Sequence, residues 1–400
     1  MTRPNPLFSS VVTLARKGYP AQVKWRRHLH QYPELSDQEF ETTTFLKKEL
    51  KRLGLKIRSM RMPTGVVAEL KGARPGPTMA IRSDIDALPV IERTGLPFAS
   101  KIPGRMHACG HDLHAATVLG TATVLTQLRH KLSGTVRFLF QPAEETPPGG
   151  AVVMIELGAL KGVDTIFGLH VDPHLPVGTV GLCEGPMMAS VCDFDISVLG
   201  RGSHAARPHL SVDAIVVASA VVDTLQKIVS RYTDPQIPVV ITVGKISGGA
   251  ARNVIADRVD LACTARTLSP SLAKSLPALI RKTVSGVCRA HGAKSEITVV
   301  ASYPMLVNDS STNHLYRDVF GEMFRPGKVR TAERSLGGED FARYLQKVPG
   351  AMCRLGVRNP RIGATKPWHS SKFIADENGM FYGTALLAGT VLRYAELHSR

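Results

Sequence analysis

Two segments of this 400-residue chain carry side chains able to share a metal ion and a water. Residues 106–114 read Met-His-Ala-Cys-Gly-His-Asp-Leu-His, which gathers His107, Cys109, His111, Asp112 and His114. Residues 141–145 read Gln-Pro-Ala-Glu-Glu and set Glu144 beside Glu145, after an apolar run at 136–140. Neutral imidazole, thiolate and carboxylate are the ligands of zinc and similar divalent ions. A glutamate next to such an ion is the general base that metal-assisted hydrolysis needs. Cys109 and His111, with Gly110 between them, can face one point from a loop. Neighbouring carboxylates in extended chain point to opposite sides, so one can bind an ion while the other reaches past it to a water. Buried together they resist double ionisation, which raises the pKa of one and suits it to act as a base.

Other residues join this list with less force. His170 closes the apolar run Thr165–Leu169, at the C-terminal end of an expected strand, where open α/β sheets place their sites. His369 stands in Lys-Pro-Trp-His-Ser-Ser at 366–371. Asp84 and Asp86 flank Ile85 at another strand end and could orient ligand imidazoles through hydrogen bonds. Each also has a plain structural reading, as a strand-end histidine or a turn carboxylate. Cys109 with His111 as its base would make a thiol hydrolase instead, and a catalytically inactive binding module is a third class.

The elements that must position these residues alternate. A helix over 37–53 with Asp37 as its cap is followed by strands at 65–71 and 77–82. A helix over 112–130, a strand at 134–140, a Pro/Gly-rich loop, a helix near 150–158 and a strand at 164–170 complete an α/β layered domain. The middle of the chain has another rhythm. Strand 192–199, helix 211–231, strands 238–246 and 256–266, helix 270–291 and strand 295–302 spell strand-helix-strand twice, the ferredoxin-like order. The reading is therefore a catalytic domain over 1–187 and 302–400 interrupted by an inserted α+β domain over 188–301, with hinges expected near 186–190 and 299–303.

Composition narrows the class. Hydrophobic residues at 44% and charged residues at 21% are ordinary for a folded soluble protein. No apolar stretch nears the ~20 residues of a membrane span. The run 7–15 has the look of a short signal core, but Pro4 and Pro6 precede it and Arg16-Lys17 follow, so an amphipathic first helix is expected. The net charge of +17 is spread along the chain without a basic run, which favours a general positive field over nucleic-acid binding. Six cysteines in no framework spacing fit a reducing, cytoplasmic compartment.

The motifs taken together carry a resemblance. Residues 82–89 (Arg-Ser-Asp-Ile-Asp-Ala-Leu-Pro), 106–114, 141–145, 168–170 (Gly-Leu-His), 200–206 (Gly-Arg-Gly-Ser-His-Ala-Ala), 252–255 (Arg-Asn-Val-Ile) and 337–341 (Gly-Gly-Glu-Asp-Phe) resemble the amidohydrolase branch of the dinuclear metallopeptidases. That branch includes hippurate hydrolase, N-acyl-amino-acid amidohydrolases and auxin-conjugate hydrolases. Residues 28–36 (His-Leu-His-Gln-Tyr-Pro-Glu-Leu-Ser) resemble its N-terminal signature.

The resemblance implies a mixed-sheet catalytic domain with an inserted lid that also pairs subunits into a homodimer. It implies that Cys109, His111, Glu145, His170 and His369 hold two divalent ions (Zn, Mn, Ni or Co), Cys109 taking the bridging place an aspartate has in the wider superfamily. Glu144 would be the base and proton shuttle. His204 of the inserted domain would polarise the scissile carbonyl or stabilise its oxyanion, in its own subunit or across a dimer. Asn253 and Arg266 would contact the substrate carboxylate. His107 and His114 are left as supporting or structural residues. The implied activity is hydrolysis of N-acyl amino acids, with a dipeptidase or carboxypeptidase using the same machinery as the alternative, and no nucleic acid or membrane as partner. One departure is visible: relatives commonly have a Gly soon after the two glutamates, and here Thr146-Pro147-Pro148 intervenes.

Overall fold

The computed structural model describes residues 5–399; Pro4, which bears on the N-terminal reading, lies outside them. The chain opens with α1 (Pro6–Gln31), an amphipathic helix that buries Phe8, Val11, Ala15, Trp25 and Leu29. Then come α2 (Phe40–Arg52), β1 (Lys56–Ile57), β2 (Val66–Lys71), β3 (Arg74–Asp84), α3 (His111–Gln127), β4 (Ser133–Gln141), α4 (Gly150–Glu156), β5 (Thr165–Pro176) and β6 (Val180–Leu182). A second stretch supplies β7 (Ser190–Leu199), α5 (Ala214–Lys227), β8 (Val239–Gly248), β9 (Arg258–Thr267), α6 (Pro270–Ala290) and β10 (Lys294–Tyr303). The last stretch contains α7 (Ser310–Phe324), β11 (Val329–Thr331), β12 (Gly350–Arg358) and α8 (Asn378–Leu397).

The chain divides into two units. One contains the residues up to Gly185, Val307–Glu333 and the chain from Asp340 onward; the other contains Pro186–Leu306 and Arg334–Glu339. In the first, eight strands form a mixed sheet in the order β1-β2-β4-β3-β5-β12-β6-β11. Its middle strands β4, β3, β5 and β12 run parallel and carry near-continuous apolar residues, as a sheet covered on both faces requires. Helix α3 is buried along almost its whole length, and its alanines, threonines and Gly120 let α1 and α8 pack against it. In the second unit four antiparallel strands take the order β8-β9-β7-β10 with α5 and α6 on the sheet. That is the ferredoxin-like arrangement. It has its own apolar core, including Phe194, Ile196, Val221, Leu261 and Val284.

Two local expectations change. Asp37 does not cap α2; it adopts φ 64°, and the Glu34 carboxylate accepts from Glu41 N at 3.1 Å and Thr42 N at 2.7 Å instead. His170 does not close its strand, because β5 runs on to Pro176 through continued pairing with β12, where Arg354 lies opposite His170.

Candidate metal centre

The chemistry gathers at the C-terminal ends of the parallel strands, where the chain leaves the sheet. β3 delivers Asp84 and, two residues on, Asp86; β4 delivers the loop 142–149 with Glu144 and Glu145; β5 carries His170 beyond the last residue it pairs with β3. His111 opens α3. The residue before it, Gly110, has φ 93°, and a Cβ there would come within 2.5 Å of Val171 Cγ2, so only glycine lets the Cys109 loop pass.

Hydrogen bonds decide which imidazoles can ligate. His111 Nδ1 lies 2.9 Å from Asp86 O and 3.1 Å from Asp86 Oδ1, two acceptors, so Nδ1 holds the proton and Nε2 turns its lone pair inward. His170 Nδ1 donates to Val171 O at 2.8 Å, leaving Nε2 3.5 Å from Cys109 Sγ. His114 is spent at both ends: Nδ1 sits 2.6 Å from Asp84 Oδ1, and Nε2 accepts from Val171 N at 2.9 Å. Asp84 therefore orients His114, not one of the five implied ligands, whereas Asp86 orients His111.

The donor atoms of Cys109, His111 and His170 lie within 4.8 Å of one another, as do those of Cys109, Glu145 and His369 and those of His111, Glu144 and Glu145. Shared members join the three groups into one cluster. Inside it His111 Nε2 and Glu145 Oε1 are buried without a hydrogen-bond partner, 3.8 Å apart. His369 Nε2 is 3.4 Å from Glu145 Oε1, and Asp84 Oδ2 is 3.6 Å from His111 Nε2. Leaving such atoms unpaired is costly, and divalent cations among them would complete their coordination. These residues fit a metal centre.

Electrostatics agree. Burial pushes the Cys109 thiol well above its usual range, and the Glu145 carboxylate adds to this. A cation beside it would favour the thiolate. Burial alone would lower His111, but Asp84 and Cys109 hold it well above the ordinary value, so a metal binding at Nε2 would displace a proton there. Burial, with His114 and the Arg354 guanidinium nearby, keeps His170 well below it and neutral.

Backbone strain marks the same place. Of the four non-glycine residues with positive φ among the described residues, Ala143 (51°) and His369 (63°) lie in the ligand loops. His369 N donates to Ala108 O at 2.9 Å, which ties its loop to the cysteine loop.

Sequence reasoning missed the support beneath these loops. Arg82, fully buried, donates to Asp84 Oδ2 (2.7 Å), Asp340 Oδ1 (2.7 Å) and Gln141 Oε1 (2.9 Å), and Gln141 Nε2 donates to Asp340 Oδ2 at 2.6 Å. The signal available was the recurrence of Arg82, Gln141 and Asp340 within the quoted motifs.

In the inserted unit, Ser203–His204 pairs with Val254–Ile255 as a two-residue ribbon. His204 is exposed, and its Nδ1 accepts from Ala206 N at 3.0 Å, so its Nε2 carries the proton and points a donor outward. His204 and Asn253 line one cavity of about 610 Å³. Arg266 is not among the residues lining it. It lies in β9 with its guanidinium donating to Leu336 O (3.1 Å) and Thr264 Oγ1 (3.4 Å).

Comparison with known proteins gives a consistent picture. Residues 80–393 match the model of peptidase family M20/M25/M40. The chain is 43% identical over 389 residues to N-acetyl-L-cysteine deacetylase of Bacillus subtilis, covering 95% of this chain and 91% of that one. It is 38% identical over 372 residues to thermostable carboxypeptidase 1 of Saccharolobus solfataricus, covering 92% and 94%. Its structure resembles that of a dinuclear metal-binding M20 peptidase of Bacillus subtilis with a TM-score of 0.84 at 38% identity, covering 95% and 99%.

Proposed function

The chain belongs to peptidase family M20/M25/M40, and from that premise we propose that it is a metal-dependent amidohydrolase of N-acyl amino acids. The products are a carboxylic acid and a free amino acid. The observation that carries this reading is the pair of unpartnered buried atoms, His111 Nε2 and Glu145 Oε1, turned toward Cys109, His170 and His369 beside Glu144. Those five residues hold two divalent ions, of zinc, manganese, nickel or cobalt. When bound, the ions lower the pKa of a water and polarise a carbonyl oxygen.

The residues of the chain do the rest. Glu144 takes the proton of the attacking water and returns it to the leaving nitrogen, work that one carboxylate can do in both directions. Asp86 keeps the His111 ring in the tautomer that ligation requires. His204 offers Nε2–H to the oxyanion, and Asn253 beside it offers an amide to the substrate carboxylate. The reading includes a homodimer paired through the inserted unit, where α5 leaves Ile215 and Val216 exposed, and a cytoplasmic location in keeping with six free cysteines.

The test is a hydrolysis panel of N-acetyl and N-benzoyl amino acids and dipeptides, run after chelation and with each metal added back. N-acyl amino acids should show a kcat/KM at least about tenfold above dipeptides, and activity should return only with metal. A preference for dipeptides would favour the carboxypeptidase alternative. Activity that survives chelation would overturn the reading.

A further inference from the structure

Residues 33–39 include the end of the signature-like stretch 28–36, yet the mechanism above gives them no work. The structure shows what they touch. Ala87 N donates to Glu34 O at 2.8 Å, and Gln38 N to Leu35 O at 2.9 Å, folding the segment into a turn against the Asp84–Ala87 strand end. Ser36 Oγ donates to Asp86 Oδ2 at 2.8 Å. Because Glu34 caps α2, Glu39 at the head of that helix makes no capping bond of its own. Its carboxylate is fully buried, and Oε1 accepts from Ala143 N at 2.8 Å, across 104 positions of sequence.

That bond falls on a decisive atom. Ala143 precedes Glu144 and holds φ at 51°, a left-handed conformation alanine leaves when nothing constrains it. Its carbonyl accepts from Gly150 N at 2.9 Å, and on the far side Glu145 N donates to Asp86 Oδ2 at 2.9 Å. The N–H groups on either side of Glu144 are thus each anchored by a buried carboxylate. A carboxylate is a costly group to bury if structure alone were served, even with its own N–H and the Thr64 hydroxyl beside the Ala143 N–H. Burial, with Asp86 nearby, pushes its pKa up to about 7.

We propose that Glu39 is a positioning residue, which holds Ala143 in its strained conformation and so aims Glu144 and Glu145 into the metal centre. The proposal rests on the amidohydrolase reading for its kinetic arm alone.

The experiment compares wild type, Glu39→Ala and Glu39→Gln, the last keeping an acceptor oxygen at the same reach. Mn²⁺ affinity is measured by calorimetric titration, and kcat and KM on an N-acetyl amino acid at saturating Mn²⁺. Glu39→Ala should bind Mn²⁺ about 10–100-fold more weakly and lose kcat by a similar factor, with KM nearly unchanged, as for other residues that orient ligands through a hydrogen bond. Glu39→Gln should restore both to within about threefold, a rescue that a need for the charge itself would not give. Should Glu39→Ala not fold, Glu39→Asp, which withdraws the acceptor by one methylene, takes its place against Glu39→Gln with the same expected losses. A folded Glu39→Ala or Glu39→Asp protein with wild-type Mn²⁺ affinity and kcat overturns the proposal, as does a Gln variant as impaired as Ala. If wild type hydrolyses no N-acyl amino acid, the functional reading fails, and the Mn²⁺ arm alone decides the role of Glu39.

Discussion

The metal centre and the His204 cavity place reactive side chains by opposite means. Around Cys109, apart from the exposed His369, the imidazoles, carboxylates and even the backbone N–H groups are largely buried and held by a further group: His111 by Asp86, Asp86 by Ser36, Glu145 N by Asp86, Ala143 N by Glu39. His204 sits exposed on a two-residue ribbon, its ring held at Nδ1 by Ala206 N. On the proposed function the difference follows from the tasks. Ligands with buried charge must be oriented before an ion arrives, because desolvated groups that miss their partner cost several kcal/mol each. A donor to an oxyanion needs one N–H aimed outward and stays solvated until substrate comes.

The comparison is broken most severely at Glu144. Replacing it with Ala should lower kcat about 10²–10⁴-fold, the usual contribution of a general acid-base group, while metal content stays at wild type. Metal analysis beside the kinetics separates base from ligand, and near-full activity would remove Glu144 from the mechanism. His204→Ala comes next, with a loss of about 10²–10³ in kcat as for a single oxyanion donor. Because the side chain is exposed, neither melting temperature nor Mn²⁺ affinity should move. A fall in melting temperature would show His204 to be structural and the contrast between the two regions false.

Asp86→Asn probes the buried side with a smaller effect. The amide can keep one acceptor but brings an N–H₂ where two donors, Glu145 N and Ser36 Oγ, converge on Oδ2. Mn²⁺ affinity should drop about 10–100-fold. An unchanged affinity would mean that the Asp86 O contact alone fixes the His111 tautomer.

The same contrast explains what the sequence made legible. Apolar periodicity and the twofold strand-helix-strand rhythm marked both units, because burial of one face is a local property of each element. Residue type marked Cys109, His111 and the two glutamates. What stayed hidden depends on pairings between distant segments. The fate of His114 is set by Val171 N, the extension of β5 past His170 by β12, and the bond from Glu39 by a loop that follows β4. Arg266 is of the same kind: its guanidinium donates to Leu336 O, a bond across 70 positions that its own neighbourhood does not announce.

A last expected effect is on stability rather than on turnover, and it again singles out the buried side. Glu39 has a carboxyl raised from 4.5 to about 7 by burial, with Asp86 adding repulsion, so the folded chain holds its proton more tightly than the unfolded chain does. Between about pH 4.5 and pH 7 the native state therefore binds more protons, and stability falls as pH rises through that window and levels off above it. The full span of that shift corresponds to on the order of 3 kcal/mol. Glu39→Gln removes the titration. The melting temperature of the variant relative to wild type, both freed of metal by chelator, should climb from about pH 4.5 to about pH 7 and then stay level. Protonation of the remaining site residues is common to both proteins and cancels in the difference. A difference that is flat across the window would show that Glu39 is ionised at no cost, its carboxylate fully satisfied by the Ala143 N–H, its own N–H and the Thr64 hydroxyl together.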